Sequence, residues 1–399
     1  MMPEKHNGKP GQEERFQAVH PSDPRLRIDS SACLPARSPL ADCKACAEAC
    51  PVSVISVTER GPELNGSCLG CGQCAAHCPS DALHVQGFPE LPLPGQTSSV
   101  IHEVDCWRVP ESESCADTLR VPCTAGLDAS QLLSLNRLAG SNGIAVLDRG
   151  WCQACPASGQ ATHPAATAIQ EANEILDEAG IQRDRRPRLE AQPLPERKAA
   201  SGIPDAKLER RVSRRGFLRQ LGGEAVSARA RLTEGFRPAQ SGPLISPVVP
   251  FRRLRLDEEL KALTGTGHGP STLPRLTVSA HCEGHGICAA LCPTGALERR
   301  AEGGSSSLML NAGLCIGCQL CERVCPEQAI RLEAMYGGAL LTELHRLTTQ
   351  RCRDCGQSFG TDDAGEAVCT ACRKSKQLMR TARTGPTPRI EPTTGEGSR

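Results

Sequence analysis

Apolar and polar residues take turns in short bursts along this chain, and the stretches between the bursts have no period. Two-residue alternation marks half-buried strands. It predicts them at 54–59 (VISVTE) and 81–87 (DALHVQG), then at 276–280 (LTVSA), 307–311 (SLMLN) and 329–333 (AIRLE). These strands sit in two similar layouts, so one small module is repeated, at 31–92 and at 273–335. Residues 97–181 read differently. SSVIHEVD (98–105) and GIAVLD (143–148) are strand candidates flanking a helix candidate, DASQLLSLNRLAG (128–140), which is an α/β pattern. A second helix follows from Ala168, Ile169, Ala172, Ile175, Leu176 and Ala179 at helical spacing, with Gly180 as its stop. Residues 1–30 read as a flexible lead-in, 182–270 as an Arg/Pro-rich linker and 380–399 as a disordered tail. The predicted class is α+β, assembled from several small units.

Composition changes this picture in one respect. Hydrophobic residues make up 39% of the 399 positions but aromatics only 2%, so the side chains that usually fill a core are scarce. The 24 cysteines are the obvious substitute. Most stand in C-x2-C or C-x3-C-P runs, spacings that suit metal capture better than disulfide pairing. A formal net charge of +1 gives no overall field for nucleic acid or acidic lipid. No run of 18 apolar residues and no signal-type stretch is present, so a cytoplasmic protein without a membrane span is expected.

The longest motifs are Cys68-x2-Cys71-x2-Cys74-x3-Cys78-Pro79 and Cys315-x2-Cys318-x2-Cys321-x3-Cys325-Pro326. In such runs three close thiolates wrap one 4Fe-4S cluster and the fourth reaches across to a neighbouring one, so each run needs a partner. The partners are Cys43-x2-Cys46-x3-Cys50-Pro51 and Cys282-x5-Cys288-x3-Cys292-Pro293, each one cysteine short. In the first, Leu40 holds the expected leading position and Cys33 is read as the displaced ligand, a free Cys33 being the alternative. The expected ligand sets are then Cys33, Cys43, Cys46 and Cys78, and Cys50, Cys68, Cys71 and Cys74. In the second module His285 stands at the missing position. It could ligate iron, the site could hold a three-iron or labile-iron cluster, or His285 could be solvated beside a degenerate site. The companion set, Cys292, Cys315, Cys318 and Cys321, is regular. Both segments resemble the double-cluster bacterial ferredoxin family, which implies one-electron transfer. Cys325 falls to the incomplete site.

Cys106, Cys115, Cys123, Cys152 and Cys155 lie in the α/β segment, where ligands at the carboxyl ends of neighbouring strands would converge on one sheet edge. The stretch RVPCTAGLDASQLLSLNRLAGSNGIAVLDRGWCQAC resembles the small iron-sulfur (delta) subunit of hydrogenase and heterodisulfide reductase complexes, which implies a 2Fe-2S cluster. Cys106, Cys123, Cys152 and Cys155 are its expected ligands, with Cys115 in reserve. Structural zinc or unmetallated thiols are the alternatives.

At 348–378, Cys352-x2-Cys355 and Cys369-x2-Cys372 have the spacing of a four-thiolate zinc ribbon. A single iron fits the same donors, although the second knuckle, CTAC, lacks the Pro and Gly of rubredoxins. SRRGFLRQLGG at Ser213–Gly223 matches a twin-arginine export motif without a following apolar region. In this it resembles the cytoplasmic ferredoxin accessory proteins of periplasmic nitrate reductase; a basic helix with Phe217, Leu218 and Leu221 as its stripe is the plainer reading. No nucleophile with a placed base, P-loop or dinucleotide fingerprint is visible, so catalysis is not expected. The expectation is an electron relay serving a redox enzyme or a donor or acceptor protein. An assembly or cofactor-loading factor for an exported redox enzyme is the alternative, and a DNA-binding redox sensor is a more remote one, unsupported by any recognition motif.

Overall fold

The computed structural model describes residues 17–18, 26–89, 101–158, 162–195, 246–264, 273–333, 340–361 and 365–384. In the first module, strands Gln17–Ala18, Leu26–Ile28 and Leu83–Val85 form an antiparallel sheet, with Leu26 opposite Val85 and Ile28 opposite Leu83. Leu26–Ile28 lies inside the predicted lead-in, so the module begins earlier than residue 31. Three residues are too few to show a period, and the partner strand comes only after both cysteine runs. A hairpin of Ile55–Thr58 and Gly61–Leu64 separates those runs. Cys33, Cys46, Cys74 and Cys78 are buried in the same core as Leu26, Ile28, Leu83 and Val85, so thiols occupy the volume that aromatics fill elsewhere.

The central unit is a four-stranded parallel sheet in the order Thr118–Val121, Glu103–Cys106, Ala145–Asp148, Arg188–Ala191. Helix Ala129–Ala139 opens with a capping box: Asp128 Oδ1 accepts from Gln131 N at 2.9 Å, and Gln131 Oε1 accepts from Asp128 N at 3.1 Å. Its Leu132, Leu133 and Leu135 meet Val104, Val121, Ile144 and Val146 of the sheet and Leu176 of helix Ala166–Glu178. The fourth strand falls within the predicted linker. Its RLEA sequence is largely exposed at a sheet edge and carries no apolar face that a pattern could reveal.

In the second module Arg275–Val278 pairs antiparallel with Ile330–Glu333. Between the cysteine runs, Leu297–Glu302 and Ser305–Asn311 form a hairpin turned by Gly303 and Gly304 at φ +56° and +81°. A two-residue turn of this hand needs positive φ at both positions, which glycine adopts freely. Ser305–Asn311 also pairs with Leu341–Arg351, which pairs with Ser358–Thr361. This sheet carries the module straight into the C-terminal cysteines. Helix Thr370–Thr384 follows and extends into the predicted tail.

Helix Phe251–Thr264, also within the predicted linker, straps the three units together. Arg252 N donates to Asp81 Oδ2 at 3.2 Å in the first module, and its guanidinium lies 3.3 Å from Asp128 of the central unit. Leu254 packs on the core of the second module, while Leu256 and Leu263 pack on the central core. Buried Glu259 accepts from Ser134 Oγ at 2.9 Å and from Arg137 Nε at 2.6 Å. A helix that meets different partners on several sides needs no single apolar stripe, which explains why its sequence resembles linker. Ahead of it, Val248 N donates to Pro293 O of the second module at 2.8 Å, and Arg37 of the first module donates to Ser246 O. The twin-arginine motif at Ser213–Gly223 lies outside the described residues.

Candidate iron-sulfur centres

The cysteine runs fold by a repeated local rule. After each Cys-Pro pair of the two ferredoxin-type modules the chain turns at a residue of positive φ, namely Ser53, Asp81, Gly295 and Gln328. That turn directs a backbone N–H at the thiolate: Ala82 N donates to Cys78 Sγ at 3.2 Å and Ala329 N to Cys325 Sγ at 3.3 Å, in equivalent places of the two modules. No cysteine among the 24 is disulfide-bonded.

In the first module the structure gathers two sets of thiols. Burial pushes Cys33 up to about 11, with Cys78 and Cys43 raising it further, and pushes Cys46 up to about 12, with Cys78, Cys33 and Cys43 opposing its ionisation. Cys33 is therefore brought in beside the other three from the start of the turn Leu34–Arg37. Burial likewise raises Cys74 well above the usual thiol range, helped by Cys71, Cys68 and Cys46, and raises Cys71 with a contribution from Cys50. Thiolates crowded together in a buried space repel one another, and a cationic metal core removes that cost. The two sets adjoin through Cys46 and Cys74.

The central cysteines converge at the carboxyl edge of the parallel sheet. Cys106 ends one strand, Cys123 follows the next, and Cys152 and Cys155 follow a third. Burial raises Cys123 well above its usual range, with Cys71, Cys106 and Cys152 adding to it. Cys152 is pushed up to about 12 by burial, then by Cys106, Asp148 and Cys155. Cys115 is exposed and precedes its strand. The loop before Cys152 is fixed by buried Arg149, which donates to Asp105 Oδ2 at 3.0 and 2.8 Å, and by Trp151 Nε1, which donates to Leu194 O at 2.7 Å.

This central set abuts the second thiol set of the first module. Cys71, Cys123, Ala125 and Ala157 share one buried cluster. Gln73 Nε2 donates to Ala157 O at 2.5 Å and lies 3.7 Å from Cys71 Sγ, bridging the units. Gly126 closes the seam: a Cβ there would lie 2.5 Å from the Cys71 carbonyl oxygen, so only glycine permits the approach. Sequence reasoning passed over Gln73, although it stands within the CGQC knuckle. It also missed Asp148 and His163, whose ligand atoms lie within 4.8 Å of each other and of the Cys152 sulfur. No spacing rule ties His163 to the cysteines before it.

In the second module burial pushes Cys288 up to about 12, with Cys282 and Cys325 raising it. Three thiols thus gather there. Burial pushes Cys318 up to about 11, with Cys292 and Cys315 raising it, and Cys321 is raised by burial and then by Cys315, Cys318 and Cys292. Arg253 of the strap helix acts in the opposite sense on Cys315, whose thiol burial raises. His285 lies between two carboxylates, with Nε2 3.3 Å from Glu283 and Nδ1 3.2 Å from Glu327.

At the C-terminus the sulfurs of Cys352, Cys355, Cys369 and Cys372 all lie within 4.8 Å of one another. Backbone N–H groups of Cys369 and Cys355 pull Cys352 down to about 6, and the Cys369 N–H lies 3.3 Å from its sulfur. Four closed thiol donors fit a tetrahedral metal ion.

Two segments match iron-sulfur domain models. Residues 41–82 match a 4Fe-4S dicluster domain, and residues 308–331 match a 4Fe-4S binding domain. The chain is also similar to hydrogenase-4 component A of Escherichia coli (strain K12), 42% identical over 60 residues, 15% of this chain and 27% of that protein. It is 38% identical over 50 residues to one polypeptide of the anaerobic dimethyl sulfoxide reductase of Haemophilus influenzae, 12% of this chain and 23% of that protein. The chain thus spans about a quarter of the length of these curated relatives. Among the described residues no helix is long and apolar enough to cross a membrane.

Proposed function

We propose that this chain is a non-catalytic electron carrier that relays single electrons for a partner redox enzyme in the cytoplasm. Iron-sulfur clusters on its thiolates would supply the one-electron chemistry. The observation that carries the reading is the contiguity of three thiol sets: the first two adjoin at Cys46 and Cys74, and the second meets the central one at Cys71 and Cys123. A relay needs this arrangement, whereas sites of purely structural role have no reason to abut.

The ligand sets in this reading are Cys33, Cys43, Cys46 and Cys78; Cys50, Cys68, Cys71 and Cys74; Cys292, Cys315, Cys318 and Cys321; and a three-thiolate set of Cys282, Cys288 and Cys325. Cys106, Cys123, Cys152 and Cys155 hold a 2Fe-2S cluster, and the C-terminal thiols hold zinc. The chain's own residues bury the sites from water, donate N–H groups to sulfur and fix how closely the sites approach. The similarity to hydrogenase and dimethyl sulfoxide reductase components supports a role beside a larger redox complex. Metal and sulfide analysis of anaerobically purified protein tests this: about 17 to 18 irons and one zinc per chain are expected. Iron at about eight or below after full reconstitution would remove at least one ferredoxin-type module from the relay.

A further inference from the structure

His285 occupies the backbone place of a cluster thiolate. Three runs share one local conformation: the second residue after the leading cysteine is a glycine of positive φ, at Gly70, Gly284 and Gly317. Two residues further on, Gly72, Gly286 and Gln319, also of positive φ, cap the short helix that carries the next cysteine. In this register His285 corresponds to Cys71 and Cys318, and Glu283 corresponds to Leu69 and Ile316. A carboxylate has replaced an aliphatic side chain next to the position where an imidazole has replaced a thiolate.

One ligand atom from each of Glu283, His285 and Glu327 lies within 4.8 Å of the others. Glu283 follows Cys282 directly, and Glu327 follows Cys325 by two residues, so both are tied to thiols of the incomplete set. Glu283 Oε2 is buried and makes no hydrogen bond, despite its 3.3 Å approach to His285 Nε2. A buried carboxylate oxygen without a donor is costly unless a cation answers it. Glu327 Oε1 has Lys374 Nζ at 3.4 Å, which leaves its other oxygen, Oε2, facing His285.

We propose that Glu283, His285 and Glu327 form a divalent-cation site at the open corner of the set made by Cys282, Cys288 and Cys325. The inference rests on reading those three thiols as cluster ligands. One imidazole with two carboxylates suits Fe2+ or Zn2+, whereas a site for Mg2+ or Ca2+ would be all oxygen. Capture is a ligand exchange: water leaves the ion, imidazole and carboxylate donors replace it, and no electron is gained or lost.

The test uses full-length protein purified anaerobically, oxidised with ferricyanide, treated with a chelator, then reduced and titrated with Fe2+. EPR follows the three-iron signal, and metal analysis counts the uptake. Wild-type protein is expected to take up about one Fe2+ at this corner, whereas Glu283→Gln/Glu327→Gln needs roughly 10- to 100-fold more ion. His285→Cys, which supplies the missing thiolate, is expected to retain its fourth iron through the chelator. Equal uptake by wild type and the double variant overturns the proposal, as does a wild-type site that keeps four irons throughout. If Cys288→Ser leaves the iron content unchanged, the cluster reading of this module fails, and the cation site fails with it.

Discussion

Cys71 and Cys123 belong to different structural units yet lie in one buried cluster, and the charge of Cys71 opposes ionisation of Cys123. A ferredoxin-type module and a parallel-sheet domain therefore share an electrostatic environment at their ligands. Two clusters held by these residues would face each other with no solvent layer between them.

Gly126 sets how closely the two sides approach. Gly126→Ala places a methyl group 2.5 Å from the Cys71 carbonyl oxygen and into the Phe88 ring, so the seam must open. The expected cost is about 1–3 kcal/mol of stability, as for other overpacked interiors. Thermal unfolding measures this, and iron content is expected to be unchanged.

Gln73→Leu removes the amide that bridges Cys71 Sγ and Ala157 O. Loss of a donor near sulfur destabilises the reduced, more negative cluster, so the potential of the adjacent centre is expected to fall. A redox titration followed by EPR reads this shift, and an unmoved potential would show that Gln73 serves packing alone.

Cys106→Ser and Cys115→Ser separate the two readings of the central site. Cys106 is at the converging edge, whereas Cys115 is exposed and precedes its strand. Cys106→Ser is expected to abolish the spectrum of the proposed 2Fe-2S cluster, and Cys115→Ser to leave it intact.

Asp105 and Arg149 form a buried pair, with 1% and 9% of their side chains exposed. Arg149→Ala leaves the Asp105 carboxylate uncompensated in the interior and is expected to cost about 3 kcal/mol or more. Because Arg149 also positions the loop ahead of Cys152, partial loss of central iron should accompany the lower melting temperature.

The ferredoxin-type runs were legible because their pattern is local: three cysteines within seven residues and a closing Pro leave little for tertiary structure to decide. Strands such as Leu83–Val85 and Ala145–Asp148 showed in their alternation or apolar run, and helix Ala129–Ala139 within the candidate segment 128–140. Leu26–Ile28 was hidden because its only signal is a partner on the far side of the module. The strap helix was hidden because Arg252, Leu254 and Glu259 answer to three different neighbours. The surroundings of His285 depended on Glu327, which reaches it only through the fold.

The most direct test of the relay is the magnetic interaction across the Cys71–Cys123 seam. Fully reduced protein examined by low-temperature EPR is expected to show the central centre spin-coupled to a neighbouring four-iron cluster, with the splitting lost in Cys123→Ser. Sharp, independent signals from wild-type protein, unchanged by that substitution, would contradict a continuous relay.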